Sequence, residues 1–162
     1  MKACILLGAP GSGKGTQAKR LQDLFKIPHI STGDMLRQEI DRGSELGNRV
    51  KDVLASGKLV SDALMLEVIQ NRFSQPDVKG GYVLDGYPRT SAQAESLEKI
   101  LREKKMTQPI AVQINVPKSE LMSRLLGRLS CSKCGTALHR ELNPPKKDMI
   151  CDVCGSTLIQ RK

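Results

Sequence analysis

The sequence predicts an α/β protein, a parallel sheet flanked by helices that carries a small zinc-binding insert. Three observations predict it. Apolar runs of strand length alternate with segments of helical periodicity, the pattern of a parallel sheet joined by crossover helices. The first run, Ala3-Cys4-Ile5-Leu6-Leu7, passes directly into the glycine-rich stretch Gly8-Ala9-Pro10-Gly11-Ser12-Gly13-Lys14-Gly15-Thr16. Two Cys-x-x-Cys pairs, Cys131/Cys134 and Cys151/Cys154, stand sixteen residues apart near the end of the chain.

The run at 3–7 reads as a buried strand, with Cys4 a small hydrophobe inside it. Residues 16–25 follow as a helix, because Ala18, Leu21 and Phe25 fall on one face. Strand, glycine turn and helix make a phosphate cradle. Glycines let successive backbone N–H groups converge on an anion, and Lys14 adds a full positive charge at the helix N-terminus. Gly15 stands where the general phosphate-loop pattern has Ser or Thr, and Thr16 supplies the hydroxyl one place later.

A short strand is expected at 27–30. Ser31-Thr32-Gly33-Asp34 then forms a turn that caps a helix from about 35 to 42. A helix over 44–55 ends at Gly57, and Lys58-Leu59-Val60 is a link. Ser61-Asp62 caps a helix in which Leu64 and Val68, and Met65 and Ile69, stack at i, i+4. The strand 81–85 ends on Asp85. Pro88-Arg89-Thr90 precedes a helix with Leu97, Ile100 and Leu101 on one face. Pro109 opens a strand at 110–116, and Pro117 suits the first turn of a helix reaching about Gly127. Arg124 and Arg128, four apart, share a face of that helix or its end.

Ligands of such sheets bind beyond the strand carboxyl ends. The glycine loop, residues 31–34 and residues 85–89 are expected there. Asp85 suits Mg²⁺ held through water, with Thr16 as the hydroxyl partner. Arg37, Arg89, Arg124, Arg128 and Arg161 are candidates to surround phosphate oxygens, since a guanidinium bonds two oxygens at once. Four cysteines in two knuckles fit tetrahedral zinc in a closed structural site. His139 lies between the knuckles and is surplus to a four-cysteine set. It is expected at the surface or near a nucleotide.

Composition narrows the classes. With two Tyr, two Phe and no Trp among 162 residues, the core is expected to be aliphatic. No apolar stretch is long enough to span a bilayer, and the apolar start is too short for a secretory leader, so a cytoplasmic protein without membrane contact is expected. The net charge of +9 is spread along the chain. Four thiolates on one Zn²⁺ would remove about two units of it. A zinc-ribbon module binding nucleic acid would use the same charge, but the scarcity of aromatic stacking residues counts against it, and no nucleic-acid partner is expected.

The chain resembles bacterial adenylate kinases with a zinc-bearing lid, members of the nucleoside monophosphate kinase family. The resemblance rests on the glycine loop with its Gly15-Thr16 ending, Ser31-Thr32-Gly33-Asp34-Met35-Leu36-Arg37, Gly57-Lys58-Leu59-Val60, and Leu84-Asp85-Gly86-Tyr87-Pro88-Arg89-Thr90 followed by Gln93. It implies the P-loop kinase fold with a CORE over 1–29 and 61–128, an AMP-binding insert over 30–60 and a zinc-binding lid over 129–162. It implies reversible, Mg²⁺-dependent transfer of the ATP γ-phosphoryl group to AMP, giving two ADP, by a monomer. Carried over by position, Gly11, Ser12, Gly13, Lys14, Gly15 and Thr16 hold ATP phosphates, with Arg124 and Arg128 facing ATP. Thr32, Arg37, Lys58, Leu59, Val60, Gly86, Tyr87, Pro88, Arg89 and Gln93 surround AMP, and Arg161 swings in with the lid. The catalytic set would be Lys14, Arg89, Arg124, Arg128 and Arg161. Thr32 favours AMP over pyrimidine monophosphates, and Gln93, offering a donor and an acceptor, suits the base.

The family continues beyond Gln160-Arg161-Lys162 with an acidic pair, another lid arginine, a long helix, a further strand and a final helix. The resemblance therefore implies a chain truncated at its C-terminus, with weak turnover and with the strand at 110–116 left as a sheet edge.

Overall fold

The computed structural model describes residues 2–56 and 60–160. Four parallel strands form the main sheet: β1 (Lys2–Leu7), β2 (His29–Ser31), β3 (Gly81–Asp85) and β4 (Ile110–Gln113), in the order β2-β3-β1-β4. The register sets Leu6 and Ser31 each opposite Asp85, and Leu7 opposite Gln113. All four carboxyl ends thus line one edge, as the alternating pattern predicts. The glycine loop begins at the residue after Leu7.

Helices connect the strands: α1 (Lys14–Phe25), α2 (Thr32–Asp41), α3 (Glu45–Ala55), α4 (Asp62–Phe73) and α5 (Ser91–Glu103), with a 3-10 turn Pro76–Gly80 before β3. Val83 and Leu84 are fully buried, as a central parallel strand requires. Leu64, Met65, Val68 and Ile69 of α4, and Leu97, Ile100 and Leu101 of α5, are buried as their spacing predicts.

Several expectations need correction. Residues 114–116 are not strand, because β1 ends at Leu7 and leaves them no ladder partner. As expected, β4 is an edge strand exposed along its length. Of the expected face of α1, only Ala18 is fully buried. Helix α2 begins at Thr32, so residues 32–34 form its first turn. Ser31 alone is its cap, its Oγ accepting from Asp34 N. The core is aliphatic in bulk, yet Phe73, Tyr82 and Tyr87 all lie in it. Phe73 and Tyr82 meet edge to face at 4.9 Å.

The chain divides into two compact units. One contains residues up to Leu7 together with Gln17–Gln113, and the other contains Gly8–Thr16 together with the chain from Ile114 onward. The second includes α6 (Lys118–Leu126) and an antiparallel sheet of β5 (Arg128–Cys131), β6 (Ala137–His139) and β7 (Leu158–Gln160), with β5 in the middle. Its core is small: Leu129, Cys131, Leu138, Cys151 and Leu158. No described helix is long and apolar enough to cross a membrane.

Candidate functional site

The glycine loop bends where only glycine is at ease. Gly11 and Gly13 have φ of 81° and 95°. Gly8 combines φ 148° with crowding, since a Cβ there would lie 2.7 Å from the Ile114 carbonyl oxygen and 2.8 Å from Ser12 Oγ. Lys14 Nζ donates to the carbonyls of Gly8 (2.8 Å) and Ala9 (3.0 Å), which holds the ammonium across the loop. Ser12 N donates to Ala9 O at 3.1 Å, and Ser12 Oγ is buried without a hydrogen-bond partner. The side chain of Ser12 therefore lies inside the loop. Gly15 and Thr16 are exposed in the first turn of α1, where backbone N–H groups lack intrahelical partners. The loop sets an ammonium beside the N–H groups of a helix's first turn, the chemistry that binds phosphate.

In the other unit, Thr32, Gly86, Arg89 and Gln93 form one hydrogen-bonded network. Thr32 is buried, and its Oγ1 donates to Gly86 O at 3.1 Å. Arg89 Nε donates to the same carbonyl at 2.7 Å, which tethers the guanidinium beside Gly86. Gly86, at φ 83°, allows both donors to approach; a Cβ there would lie 3.0 Å from Thr32 Oγ1. Gln93 Oε1 accepts from Arg89 N at 2.8 Å. Tyr87 precedes a cis peptide to Pro88, and its hydroxyl donates to Gln93 O at 3.1 Å. Burial, and then the charge of Asp62, push the Tyr87 phenol up from its ordinary value. Tyr87 and Val60, expected around a ligand, place their side chains in the core.

Arg37 is paired with Asp34 on the first turns of α2. Asp85 Oδ2 lies 3.5 Å from His29 Nε2. His29 stands two residues before the partner of Asp85 on the adjacent strand, so both share a face. Sequence reasoning missed His29; the two-residue alternation of β2 was the available signal. It also assigned Ser61 and Asp62 only a capping task. The Ser61 side chain makes no cap bond, and Asp62 is directed at α5. Nothing local in the sequence signals that pairing.

The cysteine knuckles are near copies of each other. Gly135 N donates to Cys131 O (3.1 Å) and Gly155 N to Cys151 O (2.9 Å). Cys131 N donates to Thr136 O and Cys151 N to Ser156 O, with Gly135 and Gly155 at φ 70° and 71°. The four sulfurs lie within 4.8 Å of one another, with Cys131–Cys154 at 3.4 Å and Cys134–Cys151 at 3.5 Å. Zn–S bonds of about 2.3 Å imply tetrahedral S···S edges of roughly 3.8 Å, so the cluster fits zinc with small adjustments. Hydrogen bonding from the Thr136 hydroxyl holds the Cys134 thiol down to about 6, and Ser156 acts in the same direction on Cys154. Both favour the thiolate that a metal requires.

The expectation for His139 is corrected. The ring is buried, Nδ1 accepts from Glu141 N (3.1 Å) and Leu142 N (3.0 Å), and Nε2 donates to Ser123 O at 3.3 Å. A ring nitrogen that accepts twice from backbone N–H carries no proton, which leaves the proton on Nε2. The ring packs on Gly127, where a Cβ would meet it at 2.3 Å. His139 ties β6 to the end of α6. Arg124 lies 3.9 Å from Glu120 one turn earlier, and Arg128 opens β5. Lys58, Leu59 and Arg161 lie outside the described residues.

A parallel sheet whose first strand feeds a lysine-bearing glycine loop, joined to a four-cysteine module, defines a phosphate-loop nucleotide kinase with a metal-binding insert. The family model described as Adenylate kinase matches residues 6–155. The chain is 51% identical over 157 residues to an adenylate kinase of Methanothrix thermoacetophila, covering 97% of this chain and 73% of the relative. It is 48% identical to that of Caldicellulosiruptor saccharolyticus, with 98% and 74% covered, and 49% identical to that of Clostridium acetobutylicum over the same shares. The chain belongs to the adenylate kinase family.

Proposed function

We propose that this chain binds ATP on the loop around Lys14 and AMP around Thr32, Arg37, Gly86, Arg89 and Gln93, and that the γ-phosphoryl group passes to AMP to give two ADP. The observation that carries this reading is the Thr32–Gly86–Arg89–Gln93 network. It presents a guanidinium tethered to a backbone carbonyl beside a buried, hydrogen-bonded amide, as a bound monophosphate nucleotide needs. Phosphoryl transfer asks little covalent help from a protein. It requires reactants in line and positive charge where oxygens gain negative charge. Lys14 and the N–H groups of the loop supply that charge to ATP, and Arg89 supplies it to the AMP phosphate. Arg124, Arg128 and Arg161 add to it. Thr16 and, through water, the Asp85 carboxylate would hold the Mg²⁺ of ATP, which would neutralise phosphate charge.

Cys131, Cys134, Cys151 and Cys154 would hold a structural zinc. When bound, it supplies a closed four-thiolate cross-link with no open coordination position. That link would stiffen residues 129–162 so that they close over a bound nucleotide as one lid, and a closed lid excludes water from the transferring group. The protein is a cytoplasmic monomer in this reading.

Calorimetry with ATP and AMP separately, followed by an assay of ADP formed from both, tests it. Micromolar-to-millimolar binding of each nucleotide is expected. Absence of heat from both nucleotides on zinc-loaded protein rejects the proposal.

A further inference from the structure

We infer that Asp62 is a positioning residue that sets which purine Gln93 accepts; this rests on the AMP reading above. Asp62 occupies the first turn of α4, and an acidic residue there is ordinarily accounted for by the helix dipole. Here both carboxylate oxygens are directed at α5 instead. Oδ1 accepts from Gln93 Nε2 at 2.6 Å, and Oδ2 accepts from Thr90 Oγ1 at 3.2 Å. Thr90 Oγ1 in turn accepts from Gln93 N at 3.2 Å as the cap of α5.

The chemistry of the two partners forbids a flip of the Gln93 amide. A carboxylate can only accept, so it demands the NH₂ group. The Arg89 backbone N–H can only donate, so it demands Oε1. Turning the amide over would set oxygen against carboxylate and N–H against N–H, in a side chain only 3% exposed. One N–H and one lone pair of the amide remain for a ligand, and their order is fixed. Adenine offers an N6–H donor beside the N1 acceptor and matches that order. Hypoxanthine, with the same ring outline, offers an O6 acceptor beside an N1–H donor and opposes it. Asp62 touches no substrate in this scheme; it acts through Gln93.

The test is a double-mutant cycle read by calorimetry with AMP and with IMP. Asp62→Ala should weaken AMP binding about tenfold and lower the AMP:IMP affinity ratio by roughly fivefold or more, since one side of the amide clamp is lost. ATP affinity should stay at the wild-type value, which a general loss of structure would not permit. Asp62→Asn keeps an acceptor for Gln93 Nε2 and should stay within about threefold of wild type. In a Gln93→Ala background, Asp62→Ala should change AMP affinity less than about twofold. Additive effects, or an unchanged AMP:IMP ratio, overturn the inference while leaving the AMP site standing. Wild-type protein that binds no AMP removes the site itself. A readout free of any variant is the Gln93 side-chain amide in a ¹⁵N spectrum. One of its protons should be protected from solvent exchange, and equal, rapid exchange of both overturns the inference directly.

Discussion

Replacing Cys151 by serine should melt the antiparallel sheet while the parallel sheet stays folded. Cys151 is 2% exposed and packs with Leu129, Leu138 and Leu158, the leucines of that module's buried cluster among the described residues. Burial of a leucine contributes about 1.5–3 kcal/mol. Three leucines cannot order the chain from Arg128 to Gln160 on their own, because each ordered residue costs about 1–2 kcal/mol of backbone entropy. A bound zinc would tie Cys134 to Cys151 across sixteen residues, and closing a loop of that size contributes about 3 kcal/mol by the chain-entropy relation for cross-links. A serine hydroxyl does not ionise to replace the thiolate, so that term is lost. The opening constant should rise at least about a hundredfold, since 1.4 kcal/mol is tenfold. Amide hydrogen exchange measures it. The amides of Cys131, Cys151 and Leu158, bonded to Thr136, Ser156 and Met149, should lose protection by that factor. The Val83 amide, bonded to Pro28 O, should not change. A Cys151→Ser protein that retains one zinc and native protection over 128–160 would refute the reasoning.

Three further outcomes are expected. Gly8→Ala places a Cβ 2.7 Å from a backbone oxygen at positive φ, so ATP affinity by calorimetry should fall about tenfold or more with AMP affinity unchanged. Leu84→Ala, fully buried in β3, should lower the unfolding free energy by about 2–5 kcal/mol in a urea titration. Asp77 is held below the usual carboxylate range by hydrogen bonds from Arg72, at 2.8 and 2.6 Å. A depressed folded-state pKa contributes stability above the unfolded value of about 3.9 that is lost as pH falls through the folded one. The pair is half exposed, so Asp77→Asn should cost at most about 1 kcal/mol near pH 7, and that difference should vanish in acid unfolding at lower pH.

Much of this protein was legible without its structure. The order of strands and helices follows from period and punctuation, and the glycine loop and cysteine pairs announce their chemistry, because each is a contiguous pattern whose backbone geometry is local. The strand at 81–85 is read correctly for the same reason. The antiparallel sheet was not legible. Strands of three or four residues show no usable alternation, and they hold together through sulfur atoms that the fold brings together.

Only tertiary structure decided which polar groups meet. Asp62 and Gln93 are thirty-one positions apart, His29 and Asp85 farther still, and His139 turns inward to Ser123 although Arg140 beside it is exposed. Where a residue stands along the chain determines its element and its chemistry. The partner that satisfies a buried donor or acceptor is set by strand register and helix packing, which act over distances that local patterns do not encode.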